Sequence, residues 1–117
     1  MTPDDLENYL RSIGRTVESI TGTDGTPYTV VRDITITKGS LATKTCDVAI
    51  ARPAGEPYVM PSAIHTRPAL LPMDSSPPHS TQPSNIGEDW QYLSRRYDRV
   101  PTPKNIWAHV LTILGER

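Results

Sequence analysis

One cysteine, three histidines and one knot of arginines are the residues of this chain with chemistry to offer. Cys46 lies in "TKTCDVAIA", where it alternates with Val48 and Ile50. That spacing puts all three on one side of a strand and reads as a small buried thiol rather than a nucleophile. His65 falls on or just after a short β-prone run, and His79 sits in a polar stretch. Neither has a carboxylate or thiol at metal-ligand spacing, so no metal or cofactor is implied. His109 falls in an apolar helical pattern but off its stripe, which predicts a solvated side chain. Arg95, Arg96 and Arg99, with Lys104 nearby, form the one basic cluster. Asp98 and Glu88 could simply balance it. Its functional reading is a site for a carboxylate or an acidic tail, which guanidinium groups bind in bidentate fashion. Ser94 precedes this cluster and Trp90 lies four residues before Ser94, so both join the candidate binding set. As a nucleophile Ser94 has no histidine close in sequence to activate it.

The elements that must hold these residues are legible in the spacing of apolar positions. Thr2 caps and Pro3 opens a first helix, with Asp4 and Asp5 in its first turn. Leu6, Tyr9, Leu10 and Ile13 form its stripe, and Gly14 stops it. Strands follow at 16–20, at 28–37 and through Cys46 to Ile50, with a weaker one at 62–66. In the second strand Tyr28, Val30, Ile34 and Ile36 are expected on one face, with Thr29, Asp33 and Thr35 on the other. Val31 and Arg32 break the alternation. Residues 72–89 hold four prolines and four serines and read as a long flexible loop. "DWQYLSRRYDRV" is ambiguous, since Trp90, Leu93 and Tyr97 also fit a short helix. The last helix is capped by Thr102 and opened by Pro103. Its stripe is Ile106, Val110, Ile113 and Leu114, widened by Trp107 and Leu111, and Gly115 ends it.

That order predicts a single α+β domain over residues 1–117, an antiparallel meander of about four strands with both helices on one face. Net charge is −1, which gives no general pull toward nucleic acid or an anionic membrane. No apolar run reaches the roughly 20 residues of a membrane span. The first ten residues carry no basic and apolar leader, so a cytoplasmic protein is the expectation.

Proline is in excess, twelve in all, ten of them between Pro53 and Pro103. The segment "IARPAGEPYVMPSAIHTRPALLP" resembles the crossing of ubiquitin-conjugating (E2) enzymes, which leave their third strand through P-x-x-Y-P-x-x-P-P and run to H-P-N. Pro57 and Pro61 match, and Pro68 follows Arg67 where the family has its histidine. Glu56 and Met60 depart from the pattern. Thr102-Pro103 with Val110-Leu111 resembles the W-S-P helix start of the same enzymes. "DWQYLSRRYDRVPTP" is similar to a region of prokaryotic E2 family E, with Arg96 where that family commonly has a histidine. The resemblance implies an E2-like fold in which Pro57, Pro61 and Pro68 frame the active-site face. It also implies a cysteine near Leu93, and none lies beyond Cys46. The function so implied is a non-catalytic E2-like module that binds a ubiquitin-like protein, an E1-like activating enzyme or another E2-pathway subunit. The alternatives are transfer of a ubiquitin-like protein through a non-cysteine residue, or a small adaptor unrelated to ubiquitin.

Overall fold

The structure is a computed structural model describing residues 3–23, 25–52, 63–71, 81–94 and 100–115. The element order is α1 (Pro3–Ser12), β1 (Val17–Thr21), β2 (Pro27–Thr35), β3 (Thr45–Ala51), β4 (Ala63–Arg67), β5 (Thr81–Pro83), β6 (Gln91–Ser94) and α2 (Pro103–Gly115). The strands form one antiparallel sheet in the order β1-β2-β3-β4-β6-β5. The α+β reading and the meander through β4 hold, and two further strands extend it. β5 and β6 come from sequence expected to be loop and possible helix.

Both helices pack on one face. Leu6 and Leu10 of α1 join Ile106, Trp107, Val110, Ile113 and Leu114 of α2 over Val31, Ile34, Cys46, Val48, Ile50, Ile64 and Leu93. Gly14, at φ +88°, lets Arg15 N–H reach back to the Leu10 carbonyl at 2.9 Å, which closes α1. Thr102 Oγ1 accepts the Asn105 N–H at 3.2 Å and caps α2. Thr2, the expected cap of α1, lies outside the described residues. The turn after β2 presses on the end of α2, and a side chain at Gly39 would run into the Gly115 carbonyl.

On the helices and at their ends, three side chains sit otherwise than their periodicity predicts. Ile13 and Leu111 are exposed, while His109 is buried. On α2 the buried arc widens past Ile113 to His109 on one flank and past Leu114 to Trp107 on the other, and it stops short of Leu111.

The largest departure is in β2. Two of its residues, Arg32 and Asp33, lie opposite the single residue Asp47 of β3, between the pairs Val31–Val48 and Ile34–Cys46. This is a β-bulge, with Asp33 in the left-handed region at φ +55°. It flips the phase of the strand. Tyr28 and Val30 therefore face away from the helices, and Val31, Ile34 and Ile36 face toward them. Thr29 also points to the helix side, where its hydroxyl meets Glu7 of α1 at 3.4 Å.

The second face of the sheet is covered by the connection from β5 to β6. Ile86 and Trp90 pack on Tyr28, Val30 and Ala49, with Ile20 at the margin. This connection reaches the far end of the β1–β2 hairpin, where Thr23 bonds to the Asn85 carbonyl through both its N–H (3.0 Å) and its hydroxyl (2.6 Å). It is a strap across the sheet. No helix among the described residues is long and apolar enough to cross a membrane.

Candidate functional site

The strand β6 occupies the place where the E2 resemblance puts a reactive cysteine. Its side chains alternate between the two faces. Gln91 and Leu93 point toward the helices, while Trp90, just before the strand, and Tyr92 point to the strapped face. Leu93 pairs with Ile64 of β4 and Thr81 of β5 and is fully buried. A thiol at this position would sit in the core.

Cys46 is no substitute. It is 3% exposed, between Ile34 and the helices, and burial with Asp47 nearby pushes its thiol up to about 11. Cysteine reacts as the thiolate, so this environment suppresses reaction at neutral pH.

Trp90 is also buried. One side of it packs on the strapped face, and the Arg67 guanidinium lies 4.6 Å from its ring centroid. Arg67 is held there by two bonds to Asp47 Oδ2, at 3.1 and 2.8 Å. Asp47 also accepts the Asp33 N–H at 3.0 Å and faces Arg32 at 3.6 Å, and Arg32 bonds Glu18 at 2.6 Å. Burial alone would push the Asp47 carboxyl up. The Asp33 N–H, Arg67 and Arg32 outweigh that and hold it below its usual value. This row of charges runs across β1, β2, β3 and β4 beside the apolar patch.

Beside it stands His65. Its ring lies edge-on between Tyr28 (5.1 Å) and Tyr92 (5.3 Å), and its Nδ1 is 2.7 Å from Ser84 Oγ in the strap. Ser84 Oγ also accepts the Ile86 N–H at 3.0 Å. Sequence reasoning passed over this cluster. Ile64 and His65 are adjacent, so strand alternation was enough to send them to opposite faces, but nothing local announced that the strap returns to meet His65.

Gln91 was missed as well. It is fully buried, and its Oε1 accepts the N–H groups of Leu70 (3.0 Å) and Leu71 (3.1 Å) while its Nε2 donates to the Leu71 carbonyl (2.7 Å). The stretch following Pro68 is thereby pinned to β6.

Arg95, Arg96 and Arg99 lie outside the described residues, as do Pro57, Pro61 and His79. Pro68 is exposed, just beyond β4. Ser94 is the last residue of β6. What the structure brings together is the ends of these segments. Ser94 pairs with Ala63, where the proline crossing enters β4, and Thr81, where the segment 72–80 rejoins the sheet, pairs with Leu93. Among the described residues no group of three or more His, Cys, Asp or Glu is placed to hold a metal ion.

A family model described as prokaryotic E2 family E matches residues 2–115. No curated protein and no solved structure matches the chain.

Proposed function

The chain belongs to prokaryotic E2 family E, and from that premise we propose that it works as an E2-like subunit that docks a pathway partner without forming a thioester. The partner is a ubiquitin-like protein, its E1-like activating enzyme or another E2-like subunit. One observation carries this reading: the single thiol of the chain is Cys46, which is buried in the core with its pKa raised. The position where the family resemblance expects a cysteine is the equally buried Leu93.

The docking surface is the rim where the chain leaves and re-enters the sheet at Ala63, Thr81 and Ser94. Arg95, Arg96 and Arg99 follow directly on Ser94, and Pro57 and Pro61 precede Ala63. Ala63, Thr81 and Ser94 share one end of the sheet, and by sequence one of the three adjoining segments is rich in arginine and another in proline. Guanidinium groups there suit a partner that offers carboxylates.

The test mixes the protein with the activating enzyme, the ubiquitin-like protein and ATP, and measures binding of each component by titration. Binding with no covalent adduct supports the reading. Affinity should fall with salt, because exposed charges are screened over roughly 8–10 Å. Replacing Arg95 and Arg96 with Ala should weaken binding and leave the melting temperature unchanged. A thiol-cleavable adduct lost in Cys46→Ser would overturn the proposal.

A second reading, transfer through an oxygen, is favoured by the bond between His65 Nδ1 and Ser84 Oγ. Its mark would be an adduct that resists thiol reagents, yields to hydroxylamine and disappears in Ser84→Ala.

A further inference from the structure

The two edges of the sheet are built differently. β5 is three residues long and ends at Pro83, which has no N–H to offer an incoming strand. β1 has neither proline, lysine nor bulge. Its ladder with β2 is in a fixed phase. Arg32 N–H bonds the Thr16 carbonyl at one end, and Gly22 N–H bonds the Thr26 carbonyl at the other. Antiparallel ladders alternate, so Glu18 and Ile20 also bond inward, opposite Val30 and Tyr28. Thr21 falls opposite Pro27, which fits, because a proline cannot donate there. The N–H and C=O groups of Val17, Ser19 and Thr21 therefore point away from the sheet. No other described backbone segment bonds them. Ser19 and Thr21 are exposed, so the edge is open.

We propose that β1 pairs with β1 of a second copy of this chain, antiparallel about a two-fold axis at Ser19. The strand is complementary to itself in that register. Val17 meets Thr21 of the other copy, Ser19 meets Ser19, and each pair exchanges two backbone hydrogen bonds through the outward groups. Val17 and Thr21 are β-branched and suit a cross-strand pair. The only charge in the strand is Glu18, which faces Ile20 of the other copy rather than its own equivalent. Its carboxylate is already held by Arg32 at 2.6 Å, so the two glutamates, diagonal across the axis, are each partnered. Five residues of edge bury less than the roughly 1,200–2,000 Å² of a stable complex. The dimer is therefore weak and forms at high local concentration.

The experiment is sedimentation equilibrium from about 10 µM to about 1 mM, spanning weak association, paired with amide hydrogen exchange read by NMR. A dimer fraction that rises with concentration is expected. The amides of Glu18 and Ile20 should be protected throughout, and those of Val17, Ser19 and Thr21 should become protected only as the dimer forms. Ser19→Pro removes an outward donor without touching the ladder to β2, and Ser19→Lys sets two ammonium groups together on the axis. Both should abolish the dimer while the circular dichroism of the monomer is kept, and the lysine variant serves if the proline one misfolds. A monomer at the highest concentration would overturn the proposal. So would a dimer in which the three outward amides still exchange freely, or one that survives both substitutions.

Discussion

The backbone N–H of Asp33 donates to the carboxylate of Asp47 on the neighbouring strand, at 3.0 Å. This bond holds the bulge of β2, and the bulge decides which half of β2 faces the helices. Asp47 also carries Arg67, and through it the stack on Trp90. Asp47→Asn keeps the shape but loses the charge, and should cost about 1–3 kcal/mol. The pH dependence has a definite sign. The folded-state pKa of Asp47 is depressed, so its contribution is present above the unfolded value of about 3.9 and is lost as pH falls through the lower folded value. Urea midpoints measured from pH 6 down to pH 2 should show the wild type losing stability that the Asn variant never had. Parallel curves would mean that Asp47 is not coupled to folding.

Cys46 should be silent toward thiol reagents in the native state and react rapidly once urea unfolds the chain. Its raised pKa stabilises the fold below the unfolded value of about 8.5, and that contribution is lost as pH rises toward about 11. Absorbance with a chromogenic disulfide gives the rate. Native reaction as fast as that of a free thiol would contradict the burial.

Gln91→Leu should cost about 1–3 kcal/mol, because it strands the N–H groups of Leu70 and Leu71 beside the core. Amide exchange at those two residues should accelerate more than at Val48 or Ile50. Equal protection everywhere would mean that the stretch after Pro68 is held by something else.

Trp107 lies in the core, with the Arg15 guanidinium 5.4 Å from its ring centroid. Trp107→Ala should cost about 3–5 kcal/mol, a large part of the stability of a small domain. Chemical denaturation followed by circular dichroism reads it. An unmoved midpoint would place the ring in solvent.

The parts of this fold that could be read from sequence are those with local causes. Pro3 and Gly14 bracket α1, Thr102 and Pro103 open α2, and the alternation of Cys46, Val48 and Ile50 made β3 plain. β5 and β6 have three and four residues, too few to establish a period, and Trp90 and Leu93 fit a helix spacing as well as a strand. The bulge at Arg32 and Asp33 was visible only as a broken alternation, and its consequence for Tyr28 and Val30 depended on the partner strand. His109 is buried because tertiary packing widened a face whose centre alone the sequence marked. At the candidate site, the arginines and prolines were legible as composition. The strap over His65 was not, because it joins residues distant in the chain.

That strap also has a consequence for the order in which the chain folds. The bond between Thr23 and Asn85 links positions 62 apart, and it spans a sheet that must already exist for Ile86 and Trp90 to have a surface to land on. Contacts of such separation carry a large loop-closure cost and accumulate late. The packing of α1 on α2 joins still more distant residues, so the hairpins among β1, β2 and β3 come first and both covered faces close on them late. Once closed, the strap ties the first hairpin to the last third of the chain, so that opening either end pulls on the other.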